Sequence, residues 1–204
     1  RHGIPVLVDA AAQLPPVENL WRFTQMGADA VVFSGGKDLH GPQSSGLILG
    51  RKEIIERCRP LASPNAGIGR PMKVGKEEMV GILAAVKWYL GLDHEARAAQ
   101  HERWVAEWCA ALNQVAGVIA ERSFPNGAGQ PVPRAQVTLD VERLGITADE
   151  VVQRLLDGDP AIAVVPDTRT TLYLNPYTLQ AGEEKIVQAE LVKLLQAVQQ
   201  PSAA

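Results

Sequence analysis

Two short apolar runs, Val6-Leu7-Val8 and Ala30-Val31-Val32-Phe33, each end in a polar residue, Asp9 and Ser34, with one helix-length segment between them. Runs of this length without polar alternation suit strands buried on both faces, as in a parallel sheet. Between them, Val17, Leu20 and Trp21 keep helical spacing after Pro15-Pro16, and Gly27 suits a helix C-terminus. Strand, helix and strand in this order make a right-handed βαβ unit, which places both strand ends on one edge of the sheet. Asp9 and Ser34 are therefore expected on neighbouring strand ends, with Lys37 just beyond.

Downstream, Gly46-Leu47-Ile48-Leu49-Gly50 follows too soon for a crossover helix and is expected to return antiparallel. Arg51 to Cys58 reads as a short helix, and Arg59 to Val74 as a loop rich in Pro, Gly and basic residues. Met79, Ile82, Leu83, Val86 and Leu90 predict a long amphipathic helix. A second helix, from about His94 to Val115, carries Trp104 and Trp108 one turn apart. Strands are expected over Val118–Ala120, Ala135–Val141, Ala161–Val165 and Leu172–Leu174. A helix opens at the capping box Thr147-Ala148-Asp149-Glu150, and a closing helix has Val187, Leu191, Leu194, Leu195 and Val198 on one face. The fold class is α/β: residues 1–75 end a mostly parallel large-domain sheet, 76–91 form a connecting helix, and 92–204 form a smaller α+β domain. Gln199 to Ala204 reads as a frayed tail.

Composition closes off other classes. At 46% hydrophobic and 21% charged, the chain resembles a soluble globular protein able to bury a core. A formal net charge of −3 offers no basic surface for a phosphate backbone, so a nucleic-acid partner is not expected. No apolar run approaches the roughly 20 residues of a membrane span, and no signal peptide is expected from residues that run almost directly into a strand. Cys58 and Cys109, far apart in helical segments, read as idle thiols in a reducing, cytoplasmic setting. His2, His94 and His101 lack metal-ligand spacing and read as structural, so no metal is expected. Opening without Met just before a strand, the chain reads as the carboxy-terminal part of a longer protein.

Asp9, Ser34 and Lys37 carry the candidate chemistry. Singly, an Asp closing a strand is ordinarily a turn residue, and a Lys in a glycine-rich loop is ordinarily solvated. Ser34-x-x-Lys37 also matches the serine–lysine pair of penicillin-binding enzymes, but that pair opens a helix and its companion motifs are missing. Together the three suit pyridoxal phosphate. That cofactor needs an amine for its aldehyde, a carboxylate to keep its pyridine nitrogen protonated, and donors for its phosphate. A desolvated lysine can act as nucleophile and then as proton shuttle. A serine three residues earlier, with Gly35 and Gly36 letting the backbone approach, can bind the phosphate.

Val8-Asp9-Ala10-Ala11-Ala12-Gln13 and, with Lys37 28 residues beyond Asp9, Phe33-Ser34-Gly35-Gly36-Lys37-Asp38-Leu39-His40-Gly41-Pro42-Gln43-Ser44-Ser45-Gly46 resemble the aspartate and lysine regions of the pyridoxal-phosphate enzymes of aspartate-aminotransferase-like fold. The Ser-Gly-x-Lys and Gly-Pro-Gln-x-x-Gly pieces resemble more closely the selenocysteine synthase (L-seryl-tRNA selenium transferase) and D-glucosaminate-6-phosphate ammonia-lyase family. Ile68 to Glu78 and Leu174 to Glu184 strengthen the ammonia-lyase comparison. The resemblance implies that Lys37 is the Schiff-base lysine, Asp9 the pyridinium partner and Ser34 a phosphate ligand. Gln13 and Gln43 are further cofactor-binding candidates, Gln43 across a dimer interface. Arg70 and Lys73, with Lys76, either face substrate anions or belong to a solvated linker. His40 is an acid or base beside the cofactor, or by default a loop hydrogen-bonding residue. Arg169 either holds a substrate carboxylate or is a surface arginine. The family's earlier half, with a glycine-rich phosphate loop, and the basic surface needed for charged tRNA are both absent from this sequence.

The implied activity is a lyase on an amino acid or amino sugar acid, with α,β-elimination giving a 2-keto acid and ammonia. Transferase, racemase and aminotransferase outcomes use the same lysine and stay open, as does a non-catalytic homologous fragment. The implied partners are a small-molecule substrate, further copies of the chain in a homo-oligomer, and the missing N-terminal part of the same protein.

Overall fold

The computed structural model describes residues 3–199; His2 and the tail from Gln200 lie outside the described residues. The chain divides into two compact units: Arg1–His94 with Gly127–Gln130, and Glu95–Asn126 with Pro131–Ala204.

In the first unit, β1 (Leu7–Asp9) pairs parallel with β2 (Ala30–Ser34), placing Asp9 opposite Val32. α1 (Asn19–Gln25) lies between them in sequence, as the βαβ reading requires. β3 (Gly46–Gly50) returns antiparallel on β2, with Ser34 opposite Gly46. Leu20, Val31, Phe33, Leu39 and Tyr89 form the core of this unit. α2 (Lys52–Cys58) follows, and a loop leads to α3 (Lys76–Leu90).

Among the described residues β1 pairs only with β2, and within this chain Leu7 is 67% exposed. α3 forms as expected, but its buried positions are Ala85 and Tyr89, with Ile82 and Val86 partly covered. Met79, Leu83 and Leu90 are exposed within this chain. Tyr89 packs in one cluster with Val31 and Phe33 of β2.

β1 is tied down by a carboxylate. Asp29 Oδ2 accepts from the Val6 amide at 2.8 Å, and Oδ1 accepts from Arg51 Nη1 at 2.7 Å. The Val6 amide, then Arg51, hold the Asp29 carboxyl below its ordinary range. A depressed carboxylate contributes stability that is complete above its unfolded pKa, about 3.9. That contribution is lost as pH falls through the lower folded value. Asp29→Asn should therefore lower the melting temperature at neutral pH, with the gap to wild type closing below pH of about 4. Melting curves across that window check this; a gap that does not change with pH would place the effect elsewhere.

The second unit is a four-stranded antiparallel sheet, β4 (Val118–Ser123), β5 (Arg134–Leu139), β6 (Val165–Pro166) and β7 (Thr171–Leu174), in the order β4-β5-β7-β6. Its helices are α4 (His94–Leu112, from Glu95 onward), α5 (Val141–Leu144), α6 (Ala148–Leu156) and α7 (Glu183–Gln199). Trp108 and Leu112 of α4, Val137, Leu172, Val151, Leu191 and Leu195 share one core. The capping box at Thr147 and Glu150 is present. β5 ends at Leu139, earlier than expected, because Asp140 caps α5 through the Arg143 amide. The strand expected over Ala161–Val165 reduces to Val165–Pro166. Pro166 has no N–H for a ladder, and residues 161–164 pair with no strand.

Both cysteines are free, and burial pushes the Cys109 thiol up. Among the described residues no helix is long and apolar enough to cross a membrane, and no group of three or more His, Cys, Asp and Glu could hold a metal ion.

Candidate active site

The parallel pairing of β1 and β2 brings their carboxyl ends to one edge of the first unit. The ladder continues one residue past β1, where the Ala10 amide donates to Val32 O at 2.9 Å. Asp9 Oδ1 accepts from the Ala11 amide at 3.0 Å, which orients the carboxylate at the strand end. Ordinary sheet spacing puts Asp9 and Ser34 about 5 Å apart across the strands and about 6.5 Å along them.

Lys37 rises from a loop that closes on itself. The Gly35 amide donates to Ser45 O (2.9 Å), the Gly41 amide to Gly35 O (2.7 Å) and the His40 amide to Lys37 O (2.9 Å). Gln43 Nε2 donates to Gly36 O at 3.0 Å, and Ser45 Oγ to Pro42 O at 2.6 Å. A Cβ on Gly35 would overlap Ser45 Oγ, and one on Gly36 would lie 2.6 Å from Gln43 Cα. These two glycines are needed first by the loop's own packing, a demand the sequence reading did not attribute to them. Asp38 and Leu39 turn into the core, while Lys37 and His40 stay exposed. His40 takes a left-handed φ of 54°, uncommon for a non-glycine residue, and its ring lies 5.2 Å from that of Trp88.

The sequence-derived candidates fall into three groups. Asp9, Ser34 and Lys37 share the strand edge. Among the described residues neither the Ser34 hydroxyl nor the Lys37 amine has a hydrogen-bond or ion-pair partner. Gln13 and Gln43 lie in the same unit with their amides engaged: Gln13 Nε2 donates to Ala128 O at 3.3 Å, and Gln43 to Gly36 O. Arg70 sits in a loop closed by the Gly69 amide on Leu61 O (2.8 Å), and its guanidinium donates to Pro64 O. Lys73 is exposed just before α3. Arg169 lies apart from these in chain position, exposed in the turn between β6 and β7 of the second unit.

Sequence reasoning passed over Asp38, which is 2% exposed, and Tyr89, which is fully buried and donates to Asp38 Oδ2 at 2.6 Å. The helical phase of Tyr89 relative to Ile82 and Ala85 was the available signal for its burial. Nothing in sequence links it to Asp38.

The donor set fits pyridoxal phosphate. A carboxylate, a hydroxyl and an uncommitted amine stand along one strand edge, matching ring nitrogen, phosphate and aldehyde in turn. The family model for L-seryl-tRNA selenium transferase matches residues 5–126. The chain belongs to this family. Its members and fold neighbours are pyridoxal-phosphate enzymes. Among curated relatives, the chain is 35% identical to a 5'-C-glycyluridine monooxygenase-decarboxylase of a Streptomyces species, over 91% of this chain and 42% of that protein. It is 34% identical to D-glucosaminate-6-phosphate ammonia lyase of Salmonella typhimurium, over 93% of this chain and 48% of that one. Among solved structures, a D-glucosaminate-6-phosphate ammonia-lyase superimposes with a TM-score of 0.73 at 31% identity, covering 97% of this chain and 50% of that chain. The architecture is thus that of the pyridoxal-phosphate-dependent transferase-like fold. The chain spans about half the length of the curated relatives it matches.

Proposed function

We propose that this chain carries the lysine-bearing part of a pyridoxal-phosphate lyase acting on an amino acid or amino sugar acid. The observation that carries the reading is the shared strand edge of Asp9, Ser34 and the uncommitted Lys37. The bound cofactor supplies an electron sink for charge developing at the substrate Cα. Lys37 would hold the cofactor through its amine and, when free, would take the Cα proton at Nζ. Asp9 would hold a proton on the ring nitrogen, and Ser34 would donate to the phosphate. Arg70, already anchored through Pro64 O, presents its remaining donors, with Lys73, to a substrate carboxylate or distal phosphate. Loss of the β-hydroxyl followed by hydrolysis leaves a 2-keto acid and ammonia. Gln13 and Gln43 stay in the reading as cofactor contacts, and His40 and Arg169 as substrate contacts.

The same reading takes the protein as a homo-oligomer whose site is completed by residues outside this chain. Exposed Met79, Val80, Leu83 and Leu90 on α3 support burial against another surface. A second reading is favoured by the Streptomyces relative: oxygen-dependent decarboxylation of an amino acid substrate held at the same site.

One experiment separates these outcomes. The full-length protein, loaded with cofactor and given 3-hydroxy amino acids and amino sugar acids without oxygen or an amino acceptor, should release 2-keto acid and ammonia in equal amounts. Turnover only with oxygen, with carbon dioxide released, would favour the second reading. Turnover only with an amino acceptor would make the enzyme an aminotransferase.

A further inference from the structure

We propose that Asp38 and Tyr89 form a clamp that positions Lys37, which makes Asp38 a positioning residue for whatever reaction the lysine serves. The inference rests on the reading of Lys37 as the cofactor lysine. Asp38 follows Lys37 directly, yet the two side chains part: one exposed, the other 2% exposed in the core beneath the loop. Tyr89 Oη donates to Asp38 Oδ2 at 2.6 Å, within the range of charge-assisted O–H···O bonds. Tyr89 is itself held. It is fully buried with Phe33 and Leu39, its ring meets the His94 ring edge-on at 4.7 Å, and His94 Nε2 lies 2.9 Å from Tyr89 O.

The surroundings explain why such a clamp is needed. The Lys37 side chain has no partner among the described residues, so only its backbone fixes where the amine can reach. Gly36 O and Lys37 O are tied to Gln43 and His40, which belong to the same loop and move with it. Asp38 instead ties the loop to α3, a rigid element. A second apolar residue beside Leu39 would plug the core at lower cost than a carboxylate, because a buried charge must be compensated for its lost hydration. A carboxylate offers direction, which an apolar plug does not: its short bond to Tyr89 helps to set the height and rotation of the backbone at 38, and with it the root of Lys37.

The test uses the full-length protein and the variants Tyr89→Phe, Asp38→Asn and the pair together. Three readouts are taken: borohydride trapping with peptide mapping, the rate at which cofactor-free protein recovers the cofactor's visible band on adding pyridoxal phosphate, and the pH midpoint of that band. Each folded variant should still carry the trapped label on Lys37. Tyr89→Phe should recover the band about tenfold more slowly, as loss of a buried hydrogen bond would give, and Asp38→Asn, which keeps an acceptor for the hydroxyl, should slow it by less. The midpoint should move, and the double variant should be no slower than Tyr89→Phe alone, since both changes act on the same bond. Wild-type rate and midpoint in a folded Tyr89→Phe would overturn the clamp with the Lys37 reading intact. If Asp38→Asn does not fold, Tyr89→Phe decides alone, because it removes only a hydroxyl. A label on another lysine would overturn the Lys37 reading and the clamp with it, a result the peptide map distinguishes from the first.

Discussion

Lys37→Ala in the full-length protein should lower turnover by several orders of magnitude and leave the fold unchanged. The side chain is exposed and makes no hydrogen bond or ion pair among the described residues, so truncation removes no structural contact. Its proposed work is twofold: it holds the cofactor in register with the substrate and it carries the Cα proton. A positioned acid–base group contributes about 10²–10⁴-fold, and loss of the covalent hold adds a positioning penalty. Pyridoxal phosphate should still bind non-covalently through Ser34 and Asp9, visible as a shifted absorbance band that borohydride no longer fixes to the chain. Steady-state rates at confirmed occupancy, with melting curves alongside, make the check. Turnover within tenfold of wild type would remove Lys37 from the chemistry.

Asp9→Asn should cost about 3–4 kcal/mol of transition-state stabilisation, the loss seen when a pre-organised electrostatic group is removed. The local structure explains why the change isolates charge from shape. An asparagine keeps an acceptor for the Ala11 amide, and the ladder bond from the Ala10 amide to Val32 O involves backbone alone. What disappears is the anion proposed to keep the ring nitrogen protonated. The rate should therefore fall about 10²–10³-fold with cofactor affinity much less affected. Equilibrium titration of pyridoxal phosphate beside single-turnover rates separates the two quantities. Near-normal turnover at full occupancy would mean that another group sets the ring nitrogen's protonation.

Much of this site was readable from local pattern. Asp9, Ser34 and Lys37 are chemically distinctive residues at the ends of recognisable apolar runs, and strand, helix and strand in sequence have essentially one way to align. The antiparallel return of β3 followed from the shortness of the loop before it. The Thr147–Glu150 cap was legible because all of its partners lie within four residues. The anchoring of Gln13 on Ala128 is different in kind, since its two ends are 115 residues apart and no periodicity connects them. The guanidinium of Arg70 on Pro64 O is local in sequence, but it depends on loop backbone that no repeat describes.

The sequence by itself determined the order and type of most elements and the family to which they belong, because periodicity and motif are properties of neighbouring residues. Tertiary structure alone decided which of the apolar positions are buried. β1 is as apolar as β2, yet within this chain Leu7 is 67% exposed and Val31 fully buried, since burial depends on what covers a face and not on the face itself. It likewise decided that α3 turns Ala85 and Tyr89 inward while Met79 and Leu83 are exposed within this chain. That placement brings the Tyr89 hydroxyl to Asp38, a pairing across 51 residues that exists only once the loop and helix pack against the same strand.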